Sequence, residues 1–243
     1  MPDTPIREIL PDRTALVSRA LVLVVAQIHQ AIADRGRCTL ALAGGSTPQP
    51  LYEALAQQDL PWDKLHIFWG DERYVAPTHP DSNEGMARAA WLDRVPFPPE
   101  NLHPMPTGAG DPAADADRHE QEIRDFFQVA AGEFPALDIV LLGMGPDGHT
   151  ASLFPHTAAL TVADRCVTVG NKGEDPRITF TYPVLNQAHL VIFLVTGENK
   201  QPALREIFSP TGDDRQYPAR ALRPQGQLYW LLDAAAGAEF APS

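Results

Sequence analysis

Cysteine is scarce in this chain: Cys38 and Cys166 are the only two, and both lie in apolar, strand-like runs. That excludes a disulfide framework and reads the pair as small core residues. No CxxC or HExxH pattern occurs, so no metal site is expected. Lysine is rarer than its usual share, with Lys64, Lys172 and Lys200 the only three, and the formal net charge is -12. A phosphate backbone wants a basic face, so no nucleic-acid partner is expected. In so acidic a chain, a cation on a glycine-flanked loop becomes informative. Long apolar runs are missing too. The most apolar early stretch, "ALVLVVAQIHQAIA", is interrupted by Gln27, His29 and Gln30 and reads as too short to span a bilayer. The first residues lack the charged-then-apolar secretory pattern. A cytoplasmic monomer with no membrane partner is expected.

What remains is ordinary globular material. The chain has 243 residues, of which 44% are hydrophobic, enough for one large α/β domain over 1–243 with a real core. Asp12 caps a helix in which Leu16, Ala20, Leu21, Val24, Ile28, Ala31 and Ile32 recur at helical spacing, and Gly36 ends it. "CTLALAGG" is a buried strand running into glycines, and Pro48 suits the first position of the next helix. "LHIFWGDE" is a strand ending at Gly70. Asp81 and Glu84 look like a capping pair for a helix through Leu92. Asp111-Pro112 opens a helix reaching about Val129. "ALDIVLLG" and "HLVIFLVTG" are buried strands, and "RCVTVG", "RITFTYP" and "QLYWLLD" read as further ones. The first few residues and the alanine-rich tail after Asp233 are expected to be disordered. Strands alternating with helices predict an open α/β fold, a mostly parallel sheet with helices on both faces.

Four of the strand-like runs end in polar, glycine-bearing loops: "AGGSTP", "WGDERYV", "GMGPDGHT" and "TGENK". In open α/β sheets, ligands bind beyond the carboxyl ends of strands. A single such loop reads as an ordinary turn; four together, carrying Ser46, Thr47, Arg73, Asp147, His149 and Lys200, predict a site. "GGSTP" at a helix start suits an anion, though the same loop also serves as a plain helix cap. It is not a Walker loop, because GxxxxGK[ST] is absent. Arg73 offers a planar fork for phosphate oxygens, with a surface salt bridge as the alternative. Asp71 and Glu72 can hold that fork or meet sugar hydroxyls. Lys200 supplies a second cation. Residues 143–148, "GMGPDG", match GxGxxG formally, but Pro155 follows too soon for the long helix of a dinucleotide site. A neutral imidazole at His149 can take a proton from water, and Asp147 can fix its tautomer.

Together these segments resemble the 6-phosphogluconolactonase family, within the group that includes glucosamine-6-phosphate deaminases and isomerases. The resemblance rests on "LALAGGSTPQPLYEAL", "IFWGDERYV", "DSNEGMAR", "LLGMGPDGHTASLFP", "ITFTYPVLNQA" and "LVTGENK", in that order. It implies an open α/β sheet of modified doubly wound form. It implies hydrolysis of a small phosphorylated sugar lactone, 6-phospho-D-glucono-1,5-lactone, to 6-phosphogluconate in the oxidative pentose phosphate pathway, without metal or organic cofactor. His149 then matches the general base and Asp147 its acidic neighbour. Gly45, Ser46, Thr47, Arg73 and Lys200 match residues around the sugar phosphate, and Arg177 in "RITFTYPVLN" joins them. The family usually continues "LFPG", where this chain has His156. Two rivals remain. Deaminases of the group continue roughly "IAFNEP", with a glutamate where this chain has Phe154, which cannot carry protons. A non-catalytic sugar-phosphate sensor would be favoured by loss of His149 or by a basic helix-turn-helix ahead of the first helix; neither is seen.

Overall fold

The computed structural model describes residues 4–130 and 132–240. In chain order the regular elements are strand β1 (Ile6–Leu10), helix α1 (Arg13–Arg35), β2 (Cys38–Leu42), α2 (Gln49–Leu55), β3 (Leu65–Trp69), β4 (Asp71–Arg73) and α3 (Asn83–Ala90). Then come α4 (Pro112–Phe127), β5 (Ile139–Leu142), β6 (Val167–Lys172), β7 (Asp175–Phe180), α5 (Tyr182–Gln187), β8 (Leu190–Val195), α6 (Gln201–Phe208), β9 (Gln227–Asp233) and α7 (Ala234–Gly237).

Six strands form one parallel sheet in the order β1-β9-β8-β5-β2-β3. β5 and β8, at its centre, are apolar at every position because both faces are covered. The side chains still alternate. Ile139, Leu141, Leu190, Ile192 and Leu194 join one core with Leu16, Ala20, Val24 and Ile28 of α1, Leu51 of α2 and Ala87 of α3. Val140, Leu142, Val191, Phe193 and Val195 join the other with Ala116 and Ile123 of α4, Val184 of α5 and Leu204 of α6. The open, mostly parallel α/β sheet with helices on both faces is therefore as the sequence predicts. Cys38 and Cys166 are both buried and unpaired.

From β2 the chain runs outward to β3. It then returns to the other side of β2 and continues outward through β5, β8 and β9. The order thus reverses between β2 and β5, and a crevice at such a switch point is where open α/β sheets bind ligands. At the opposite ends of these two strands, Asp138 fastens one to the other. Its buried carboxylate accepts from Thr39 N at 2.8 Å, Thr39 Oγ1 at 2.9 Å and Arg35 Nε at 2.9 Å.

Helix α1 starts and ends as read: Asp12 Oδ1 accepts from Ala15 N at 2.8 Å, and Gly36 closes the helix at φ 76°. At 23 residues it is longer than its uninterrupted apolar run, and it is the described helix long and apolar enough to cross a membrane. In this fold it lies against the sheet, burying Leu16, Ala20, Val24, Ile28 and Ala31.

Several expectations need correction. Ser82, not Asp81 with Glu84, caps α3: its Oγ accepts from Gly85 N at 3.0 Å, while Glu84 turns forward to Arg88 at 2.8 Å. The helix stops at Ala90, because Trp91 leaves helical geometry at φ -144°. Helix α4 stops at Phe127, where Gln128 turns left-handed. "IREIL" is an edge strand beside β9 that its charges hid, with Glu8 paired to Arg19 at 2.7 Å. The tail after Asp233 is helical to Phe240, since the Asp233 carboxylate caps α7 through Ala236 N at 2.7 Å. Residues 1–3 and 241–243, the rest of the segments expected to be disordered, lie outside the described residues. "RCVTVG" and "RITFTYP" do not extend the main sheet. They form a hairpin that pairs antiparallel with β4 in a second, three-stranded sheet, order β4-β7-β6.

Candidate active site

The four loops do meet. A cavity of about 310 Å³ opens at the carboxyl ends of β2, β3, β5 and β8. Gly45, Ser46, Thr47, Asp71, Arg73, His149, Arg177 and Lys200 all line it. Asp147 stands behind His149. The parallel strands deliver the loops, and the hairpin of the second sheet brings Arg177 across to Arg73, its direct partner in the β4–β7 register.

The segment after β5 explains its own glycines. Gly145 N donates to His149 O at 2.9 Å and Gly148 N to Gly145 O at 3.0 Å, closing a tight turn. A Cβ at Gly145 would lie 2.1 Å from His149 Nδ1 and 2.4 Å from Asp147 Oδ1. Gly148 takes φ 79° and would strike Tyr217 at 2.8 Å. The turn is glycine-rich because a folded-back acid and imidazole fill the space a side chain would need.

His149 Nδ1 and Asp147 Oδ1 are 2.5 Å apart, and Oδ1 also accepts from His149 N at 3.2 Å. Burial disfavours the charged Asp147 carboxyl, but the hydrogen bond and charge of His149 outweigh it and hold the group below the usual carboxylate range. An ionised carboxylate only accepts. Nδ1 therefore carries a proton, and in the neutral ring the lone pair lies on Nε2, the tautomer that can take a proton. The Phe154 ring lies against the imidazole, with centroids 4.3 Å apart and the two planes tilted by 37°.

Positive charge gathers on the other walls. Arg73, Lys172, Arg177 and Lys200 line the cavity. Among the described residues none of the four is paired with a carboxylate. Burial pushes Arg177 down from the usual arginine range, and the facing Arg73 adds to it. Burial likewise lowers Lys200, with Asp147 pulling the other way. Arg73 Nη1 donates to the Asp81 carbonyl at 2.5 Å, while its buried Nε has no partner among the described residues. The "GGST" loop is held by Arg13, which donates to the Ser46 carbonyl, and by Thr47 Oγ1, 3.3 Å from Thr196 Oγ1.

Asp71 lines the cavity with its carboxylate fixed by Ser152 Oγ at 2.6 Å. Glu72 does not hold the Arg73 fork. Strand alternation turns it away from the cavity, onto the start of α3. Among the cavity-lining residues that escaped the sequence reading are Asn83 and Lys172. Asn83 belongs to a helix start, not a strand-end loop, and Lys172 stands near a hairpin tip like any surface lysine. The "GMGPDG" run enters no helix, in keeping with its rejection as a dinucleotide fingerprint. His156 adopts φ 58°, the left-handed conformation that favours glycine, and its Nε2 donates to Gln216 Oε1 at 2.7 Å. No described group of three or more His, Cys, Asp and Glu is arranged to hold a metal ion.

Known proteins resemble this chain over most of its length. The family described as glucosamine-6-phosphate isomerases/6-phosphogluconolactonase matches residues 11–230. A 6-phosphogluconolactonase of Nostoc sp. is 63% identical, covering 96% of this chain and 97% of its own. One of Synechocystis sp. is 60% identical, covering 97% and 98%. The solved 6-phosphogluconolactonase from Trypanosoma cruzi superimposes with a TM-score of 0.90 at 29% identity, covering 100% of this chain and 99% of its own. With the family match spanning most of the chain and such relatives aligned end to end, this chain belongs to the 6-phosphogluconolactonase family.

Proposed function

We propose that this chain hydrolyses 6-phospho-D-glucono-1,5-lactone to 6-phospho-D-gluconate, in the cytoplasm, as a single-domain monomer acting in the oxidative pentose phosphate pathway. The observation that carries the mechanism is the 2.5 Å contact of His149 Nδ1 with Asp147, which leaves Nε2 free at the cavity wall. Nε2 takes a proton from water as its oxygen bonds to the lactone carbonyl carbon. The tetrahedral intermediate collapses, the bond to the ring oxygen breaks, and the imidazolium returns its proton to that oxygen. Asp147 stabilises the imidazolium between the two transfers. Gly45, Ser46, Thr47, Arg73, Arg177 and Lys200 hold the phosphate, and Asp71 meets a sugar hydroxyl. Phe154 favours hydrolysis over deamination, since a phenyl ring stands against His149 where an amino-sugar enzyme needs another proton carrier. The names of the relatives support the substrate. The test is a dehydrogenase-coupled assay on freshly generated lactone, with spontaneous opening subtracted. Product should form above the uncatalysed rate, in proportion to enzyme; no excess would refute the activity.

Replacing Arg73 with Gln should raise KM for the phosphorylated lactone about tenfold, the low end for a lost hydrogen bond to a charged group, since Arg177 and Lys200 remain. Unphosphorylated gluconolactone should be hurt little. Equal losses on both would remove Arg73 from phosphate recognition.

Activity should survive EDTA, because base-activated water attacks a lactone carbonyl without a Lewis acid. Activity that disappears with chelator and returns with zinc would contradict the mechanism.

A further inference from the structure

Glu72 is 3% exposed, yet it forms no ion pair with a described cation. Its carboxylate instead faces four donors. Oε1 accepts from Arg73 N at 2.8 Å and Asn83 N at 2.8 Å; Oε2 accepts from Glu84 N at 2.7 Å and Ser82 Oγ at 3.1 Å. Burial raises the group from the usual carboxylate range, and these backbone N–H groups oppose the rise. So costly a burial joins two segments that both serve the cavity. One is β4, whose alternate residues Asp71 and Arg73 line it. The other is the stretch from Asp81 into α3. Asp81 supplies the carbonyl that anchors the Arg73 guanidinium at 2.5 Å. Asn83, also lining the cavity, donates from Nδ2 to the Asp71 carbonyl at 2.9 Å. Its Oδ1 presses on Gly44, where a Cβ would lie 1.8 Å away.

We infer that Glu72 is the positioning residue for phosphate recognition. Its carboxylate fixes Arg73 at both ends, holding its main-chain N–H directly and its guanidinium through the Asp81–Glu84 segment. A carboxylate is needed because all four groups facing it are donors. Glutamine would turn its own N–H donors toward two of them. Glu72 itself touches no substrate, so its effect must travel through Arg73.

That dependence is measurable in a double-mutant cycle of Glu72→Gln with Arg73→Gln. The inference rests on the proposed phosphate recognition by Arg73, so two readouts are taken: KM for the phosphorylated lactone and Kd for inorganic phosphate. Glu72→Gln alone should raise both about tenfold, the loss expected for the Arg73 guanidinium itself. The double variant should be no worse than Arg73→Gln, the non-additivity of groups acting as one. Turnover of unphosphorylated gluconolactone by Glu72→Gln alone should be nearly unchanged. Glu72→Asp keeps the charge but retracts it by a methylene. It should lie between wild type and Glu72→Gln, and it enters the cycle if the Gln variant does not fold. Additive losses, or equal losses on both lactones with a lowered Tm, would reduce Glu72 to general stability and overturn the inference. Coupled losses in phosphate affinity from a wild type that does not turn over the lactone would refute the substrate and leave the role of Glu72 standing.

Discussion

A His149→Asn variant is expected to fold normally and to lose about 10²–10⁴-fold in kcat, the usual worth of a positioned base. Asparagine has roughly the right size and can still hydrogen-bond to Asp147. It cannot take a proton from water near neutral pH. The imidazole is only partly buried, with 24% of its side chain exposed, and the turn around it is closed by main-chain bonds that the substitution leaves in place. Stability should therefore change little. Affinity for 6-phosphogluconate should also persist, because Arg73, Arg177 and Lys200 stand on other elements. Lost affinity with intact kcat would make His149 a binding residue.

The second large effect is expected from a single methyl group. Gly145→Ala places a Cβ 2.1 Å from His149 Nδ1 and 2.4 Å from Asp147 Oδ1, closer than atoms can approach. Gly145 is not among the positive-φ glycines, so alanine can adopt its backbone. The strain must fall on the two side chains, and they can yield only by parting. Misplacement of a reacting group by about 1 Å costs on the order of 10²-fold, so kcat should fall by about that much. KM and Tm should stay close to wild type, since the phosphate-holding loops are untouched and the side chains that move are partly exposed. A Gly145→Ala enzyme with normal kcat would show that the Nδ1–Oδ1 contact is dispensable.

Much of this was legible in the sequence because burial on both faces leaves an unmistakable mark. "IVLL" and "LVIFLV" carry no polar residue, and glycine follows each closely. A chain of parallel strands must send such ends to the same edge, so the meeting of the four loops followed from pattern alone. Elements fastened by side chains from elsewhere were not legible. "IREIL" is an edge strand with a solvent-facing side and reads as polar. Helix α7 depends on Asp233, which also accepts from Gly197 N at 3.0 Å. The second sheet depends on pairing between β4 and β7, separated by about a hundred residues, and no local periodicity encodes that. Within the site, strand alternation was the clue left unused. Asp71 and Arg73 share a face, so Glu72 must point the other way. That is why it brackets α3 instead of holding the guanidinium. His156 shows the reverse case, a departure from the family's glycine at a position whose left-handed backbone explains the glycine.

The central claim is that the neutral imidazole of His149, oriented by Asp147, accepts the proton of the attacking water. The most direct measurement is kcat as a function of pH on the phosphorylated lactone, with spontaneous hydrolysis subtracted, for wild type and His149→Asn side by side. A protonated imidazole has no lone pair to offer, so wild-type kcat should fall on the acid side. Asp147, held below the usual carboxylate range, stays ionised through that fall and should add no second limb at mild acidity. The variant should be slow at every pH and lack the acid limb. A folded His149→Asn enzyme with near-normal kcat and the same acid limb as wild type would contradict the claim and place the base elsewhere.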